Sequence, residues 1–443
     1  MTLALLGAAA AATLSGYGAP ELGGALGGIG SPFVFGLAQS PALARPGSAQ
    51  AGLDVAALYS RYAYTLDQRE EVVSEGTSAV PFLAGALPTG RFGLGAAVFA
   101  PWARGGSSDP EGPQRFHSIE GAFTGIESDL CAAWSPHDAF TVGAAARVVH
   151  VSLDSTRAVD TGAMLNGMLG DDAGVPVGDP FLEGTQSLVG LSGWAPAWAL
   201  GVHLAPRGGT TIDAAFRSAV DTTVAGSVSL VPSNDLEVYL DGDVAVNFVF
   251  PAEALLAVRV PLGPHFVGAE LGWIGWSSLA AVDSELSGLA VRSDDSALQS
   301  ILSSYGMSQA DYIDGLGTQS SQTGMQDIVT GGLWGEIALG ERFLLRPGLW
   351  YSPAAVPDDY VHPGNADFAS LDLRLAGAWR ASEHWSLVGS VDYWLSSSRD
   401  IDGSVHSLAA PADSGRVLPP GNGRYALDVA RLGAGVLYHA AAW

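Results

Sequence analysis

The chain has 443 residues, 48% of them hydrophobic, and a formal net charge of -25 at pH 7. With a pI near 4.4, it lacks the basic patch that nucleic acid or an anionic surface requires of a partner. All basic side chains are arginine, a bias read mainly as genome composition, and the one cysteine, Cys131, excludes an intramolecular disulfide.

The N-terminus opens with an apolar, Ala-rich stretch from Leu3 to Leu14, followed by the small residues Gly16 and Gly18. It reads as the hydrophobic part and cleavage zone of a signal peptide without its positive start, so residues 1–18 are taken as a signal-peptide remnant. No later run reaches the roughly 18 uninterrupted apolar residues of a membrane-spanning helix. Residues 19–51 are Gly-rich and apolar. From there the pattern changes to period two.

Strands are expected near 52–66, 77–88, 91–104, 117–134, 139–154, 196–206, 209–222, 243–261, 265–278, 328–340, 342–353, 368–381, 384–397 and 425–442. The alternation is sharpest late in the chain. Leu371, Leu373, Leu375 and Trp379 take one parity, and Ser370, Asp372, Arg374 and Arg380 the other. Trp385, Leu387, Val391 and Tyr393 oppose Ser386, Ser390 and Asp392, while Val267, Ala269, Leu271 and Trp273 oppose Gly268, Glu270 and Gly272. One apolar face at this period means strand, not helix.

Tight turns fall around Pro88-Thr89-Gly90, Ser135-Pro136-His137-Asp138, Pro206-Arg207-Gly208, Leu262-Gly263-Pro264, Gly340-Glu341 and Ala381-Ser382-Glu383. Each follows an even-numbered strand, so all lie on one side, and long polar loops lie on the other. Short turns on one side and long loops on the other are the layout of an outer-membrane barrel. The expected fold is therefore an all-β, antiparallel, up-and-down transmembrane barrel of about 14 strands over residues 52–443. The terminal Trp443 fits the signal read by barrel assembly machinery, and Cys131 falls within a strand, packed or facing lipid.

Several strand motifs resemble the FadL type of outer-membrane transporters for long-chain fatty acids and aromatic hydrocarbons. Phe92 to Trp102 is similar to that family's third strand, glycine-rich and then broken at Pro101-Trp102. Phe250-Pro251-Ala252 with Trp276-Ser277 is similar to its eighth and ninth strands. Arg346 to Pro353, followed by Val356-Pro357-Asp358, is similar to its arginine-glycine-aromatic strand and exit loop. The resemblance implies an N-terminal hatch inside the barrel over residues 19–51, with Phe33, Val34 and Phe35 as its bulky core. The family's Asn-Pro-Ala is here Ser40-Pro41-Ala42, and Ser replaces only part of the hydrogen bonding of Asn.

The resemblance also implies passive uptake of a hydrophobic compound: capture at extracellular loops, then lateral diffusion through an opening in the barrel wall. Capture would use two amphipathic stretches, Met164, Leu165, Met168 and Leu169 in one long loop and Leu298, Ile301, Leu302 and Tyr305 in another. The kink in the third strand would lie at Pro101, Trp102, Gly105 and Gly106, because proline deletes a ladder bond and glycine favours a bend. Arg147, Arg217, Arg346 and Arg374 are candidates for meeting a fatty-acid carboxylate, with ion pairing to Asp213, Glu270, Asp372 or Asp392 as the competing role.

His117-Ser118 and His384 near Ser386 show no catalytic spacing, and the nine histidines form no metal-ligand pattern. No enzyme, metal or cofactor is expected. The partners expected are a hydrophobic small molecule, outer-membrane lipid and the assembly machinery, with the barrel a monomer. The alternatives are a general diffusion porin and a surface receptor or adhesin.

Overall fold

The period-two segments close into one barrel. The computed structural model describes residues 34–44, 48–66, 70–163, 176–179, 182–232, 239–292, 303, 306, 308, 318–407 and 420–440. In it, nineteen hydrogen-bonded segments form a single antiparallel sheet. Numbered by passage across the wall, the strands are β1 (Gln50–Thr65), β2 (Val72–Thr89), β3 (Phe92–Ser107), β4 (Glu120–His137), β5 (Phe140–Asp160) and β6 (Glu183–Leu204). Four passes are each built of two segments: β7 (Thr211–Arg217 and Val220–Pro232), β8 (Tyr239–Phe250 and Glu253–Leu262), β9 (His265–Ile274 and Ala281–Arg292) and β10 (Thr318–Gln322 and Ile328–Leu339). The series ends with β11 (Phe343–Ser352), β12 (Ser370–Arg380), β13 (Trp385–Ser396) and β14 (Gly423–His439). A short segment, Arg399–Ile401, pairs with the loop end of β14.

The last strand returns to the first. β14 pairs with β1 from Gln50↔His439 to Thr65↔Arg424, so the fourteen strands close without a free edge. Lipid offers no hydrogen bonds to an open edge, which is why a sheet crosses a membrane only when closed.

Along β4 the alternation is clean: Ile126, Leu130 and Trp134 point out, while Phe123, Glu127, Asp129 and Cys131 are buried. The thiol therefore packs inside, away from lipid. Leu94, Leu271, Leu333 and Leu432 belong to the same exposed apolar exterior, each more than half exposed. Aromatic pairs mark its short-turn edge, with Phe343 and Trp379 rings 6.2 Å apart and Trp385 and Tyr438 rings 5.1 Å apart. A continuous apolar belt edged by aromatics is the surface of a membrane barrel.

Several strands run beyond their expected ends. β6 begins at Glu183, not 196, and β5 continues to Asp160. The loop expected from Ser155 to Ala195 is correspondingly shorter. The added stretch, with Thr185, Gln186 and Ser187, pairs with β5 and β7. It rises clear of the apolar belt, where a strand has no lipid face to betray it. Likewise β9 and β10 extend into the loop expected over Leu279 to Asp327, pairing Ala281↔Gln322 through Glu285↔Thr318.

Candidate functional site

At the short-turn end the lumen is filled by the chain's own N-terminal segment. Two single-turn 3-10 helices, Val34–Ala38 and Pro41–Ala44, are packed inside the wall. Phe35 is 1% exposed and its ring lies 5.6 Å from that of Phe82, which stacks in turn on Phe99 at 5.7 Å. The wall makes room with glycine: a Cβ on Gly143 would come within 2.4 Å of the Ala42 nitrogen, and one on Gly201 within 2.4 Å of Ser40 Oγ. Ser40 Oγ is buried with no hydrogen-bond partner among the described residues. Pro41 and Ala42 are buried beside it. Phe33 and residues 1–18 lie outside the described residues.

Above this segment stands a buried ionic network. Arg147 clasps Glu127 with two bonds, Nε to Oε1 at 2.6 Å and Nη2 to Oε2 at 2.7 Å. Arg217 donates to the same carboxylate at 2.7 and 2.8 Å and to Glu253 at 3.2 Å. Arg374 pairs with Asp372. Asp392 binds Arg431 at 3.1 Å, and Asp213 meets His203 at 2.7 Å. Arg346 lies over the Trp334 ring, 4.2 Å from its centroid, with Glu336 and Glu270 nearby. Arg147, Arg217 and Arg374 are thus bonded to carboxylates. Asp372 serves as the partner of Arg374 as the competing role expects, while Glu127 holds both Arg147 and Arg217, Glu253 adds to Arg217, and Asp213 and Asp392 go elsewhere. The parity of Ile126 and Leu130 was the available signal for Glu127: if they face lipid, residue 127 faces inward.

The wall is interrupted between β2 and β3. Their ladder pairs Phe82↔Phe99 through Thr89↔Phe92, stops, and resumes at Glu75↔Ser107. Each strand stays paired on its other side, β2 with β1 throughout and β3 with β4. On the β4 side the register slips by one between Phe99 and Trp102, so Ala100 and Pro101 stand against Ile126 alone. This is a bulge, and it reverses the facing: Phe99, Ala100, Pro101 and Trp102 are buried in succession. Pro81 stands across the interruption, a second residue without an amide hydrogen, which the sequence reading passed over.

Trp102 is carried inward by the bulge and stacks on Phe250, ring centroids 4.3 Å apart. Gly125 leaves it space, since a Cβ there would fall 2.3 Å from the indole. Trp102 joins an apolar, aromatic-rich core with Tyr62, Phe123, Phe248, Phe368 and Tyr425. At the upper end of the interruption the strands already approach closely, where a Cβ on Gly76 would lie 2.2 Å from the Gly105 carbonyl oxygen. A cavity of about 30 Å³ opens there, lined by Tyr62, Ser74, Gly105, Gly106, Gln114 and Pro363. That is room for about one water.

The height of the interruption is fixed by its neighbours. Just above it Arg61 binds Glu71 at 2.8 Å and approaches Glu75 and Asp428 at 3.7 and 3.9 Å, all on the exterior. Tyr59, Val55 and Leu53 below them are exposed apolar positions on the same strand. The interruption lies directly inside the belt's long-loop edge.

One segment at the long-loop end carries no local pattern that marks it as buried. Val361–Phe368, in the β11–β12 loop, is buried at every residue. Asn365 Nδ2 donates to the Thr323 carbonyl at 3.1 Å, and Arg399 Nη1 to the Asp367 carbonyl at 2.6 Å. Met164, Leu165, Met168, Leu169, Leu298, Ile301, Leu302 and Tyr305 lie outside the described residues.

The family model for outer membrane protein transport proteins (OMPP1/FadL/TodX) matches residues 44–364. Among solved structures, a Pseudomonas aeruginosa FadL homologue superposes with a TM-score of 0.75 at 14% identity, covering 98% of this chain and 99% of that one. The Ralstonia pickettii toluene transporter TbuX gives 0.64 at 16% identity over 93% and 94%. The Pseudomonas putida toluene transporter TodX gives 0.63 at 14% over 98% and 95%. No curated protein sequence matches the chain.

Proposed function

The chain belongs to the outer membrane protein transport family (OMPP1/FadL/TodX), barrels of the bacterial outer membrane, and on that premise we propose that it gives passive passage to hydrophobic compounds, long-chain fatty acids or hydrocarbons, which leave sideways through the wall between β2 and β3. The observation that carries this reading is the interrupted ladder. An unpaired backbone group in hydrocarbon costs several kcal/mol, so a stretch where β2 and β3 exchange no ladder bonds inside the apolar belt is retained against a large penalty. Pro81 and Pro101 reduce that penalty by presenting no amide hydrogen. Apolar solute would reach the outer leaflet there without crossing to the periplasm.

Substrate class follows from the lumen. A hydrocarbon could pass the aromatic core around Trp102 and Phe250 while every ion pair stayed intact. A fatty-acid carboxylate would have to compete with Glu127 or Asp372 for its arginine. The N-terminal segment acts as the plug that denies polar solutes the axial route, which separates this reading from a general porin.

The test is uptake by cells that lack their own hydrophobic-compound transporter and express this chain, offered labelled oleate, hexadecane and toluene beside a small sugar. Accumulation of one hydrophobic class without the sugar supports the reading and names the class. Sugar uptake alone would make the protein a porin.

A further inference from the structure

Three histidine rings meet under the long loops, each from a different loop. His117 follows the turn Pro113–Phe116 between β3 and β4, His362 lies in the inserted segment Val361–Phe368, and His406 lies between β13 and β14. The rings of His117 and His362 stack with centroids 4.6 Å apart, and His406 packs edge-on against His362 at 4.5 Å. His117 and His362 are 4% and 2% exposed. Among the described residues no group of three or more His, Cys, Asp or Glu is arranged to hold a metal ion. The contact is ring on ring, so charging more than one imidazole sets like charges about 4.5 Å apart in a buried site.

We infer that these three histidines are a proton-operated latch: neutral, they hold Val361–Phe368 in the barrel mouth, and protonated, they release it. The proposal rests on the transport reading for its purpose, because the released segment would uncover the aromatic core and the cavity beside Pro363.

The bonding of His362 makes the switch chemical as well as electrostatic. Its Nδ1 accepts the Gly364 amide hydrogen at 3.1 Å, and its carbonyl accepts that of Asn365 at 2.8 Å, forming the turn that seats the segment. An imidazolium carries hydrogen on both nitrogens and accepts nothing, so protonation removes the first of these bonds. Among the described residues no carboxylate acts on the new charge. The charged group facing His117 and His362 is another cation, Arg157 of β5, held through Nε by Gln186 at 2.8 Å. His406 faces Tyr360. Four carboxylates on these loops and the adjoining strands are bonded elsewhere: Asp358 to Arg399, Glu183 of β6 to Arg115, Asp367 to the Ala355 amide and Asp160 of β5 to the amides of Ala163 and Gly178.

Burial, first, and the neighbouring cations, second, press His117 down to about 3 and His362 well below its ordinary value; burial lowers His406. A released histidine would titrate near 6.5. For groups depressed in the closed state, closure is fully favoured above that value and lost as pH falls through it, because the open state binds more protons. Each ring adds up to about tenfold to the open-to-closed ratio per unit below pH 6.5. The three together make release steep between pH 7 and pH 5.

Thiol accessibility in the full barrel in phosphatidylcholine liposomes tests this. Ala366→Cys, at a fully buried position, is placed in a Cys131→Ala background, and its labelling by a polar maleimide is divided by that of an Ala381→Cys control at an exposed turn. The ratio should rise at least about tenfold from pH 7 to pH 5. His362→Asn, which keeps an acceptor and cannot titrate, should blunt the rise. His117→Phe with His362→Asn and His406→Gln should abolish it, heat-modifiable migration confirming an intact barrel. A flat ratio in the parent, or the same rise in the triple variant, would overturn the latch. Labelling is read without any substrate, so failure of the latch and failure of the transport reading are separate results.

Discussion

The indole of Trp102 lies on the ring of Phe250, centroids 4.3 Å apart and planes 22° apart. Both residues stand where a strand is disturbed. Trp102 follows the β3 bulge, and Phe250 ends the first segment of β8, before Pro251-Ala252. The stack sits on the lumen side of the bulge, beside the wall interruption. Trp102→Ala should therefore raise uptake of the bulkier hydrophobic substrates while leaving barrel assembly unchanged, measured as initial rates across a series of increasing ring number. Unchanged rates across the series would mean that the indole does not stand in the path.

Gly125 is the complement of that tryptophan. A methyl group there would fall 2.3 Å from the indole, so Gly125→Ala should push the ring away and destabilise the barrel by about 1–3 kcal/mol of overpacking. Urea unfolding in liposomes measures this. Combining it with Trp102→Ala should recover most of the loss.

The Glu127 carboxylate receives four hydrogen bonds from two arginines. Glu127→Gln leaves both guanidinium groups buried beside a neutral amide, and should destabilise the barrel by about 3–5 kcal/mol. Replacing Glu127, Arg147 and Arg217 together by leucine and methionine should be far milder. Equal losses in the two variants would show that packing, not uncompensated charge, is at stake.

Deleting residues 34–44 should make the barrel permeable to small sugars, read by swelling of liposomes. Gly143→Val should produce a weaker leak, because its side chain would strike the Ala42 backbone. Unaltered swelling in the deletion variant would mean the segment is no plug.

Much of this architecture is written in short-range pattern. The alternation at Leu371 to Trp379 placed Arg374 and Asp372 inside, where both are found buried. The proline at position 101 falls at the bulge because a missing amide hydrogen weakens the ladder locally. What escaped notice depends on partners distant in the chain. Glu127 meets Arg217 across ninety residues, and nothing local marks that meeting. Val361–Phe368 contains His, Asn and Asp, so composition suggests an exposed loop. It is buried because Thr323, Arg399 and Ser404 satisfy its polar groups from other loops. Strand ends above the apolar belt were missed for a related reason: without lipid on one side, alternation fades.

Restoring the wall tests lateral passage through the β2–β3 interruption most directly. Deleting Ala100 and replacing Pro101 by valine removes the extra residue of the bulge and returns an amide donor to the ladder. The repaired barrel should assemble, migrate as a folded species and lose uptake of the hydrophobic compound the parent imports. A repaired barrel that imports it at the parent rate would contradict lateral passage and place the route elsewhere.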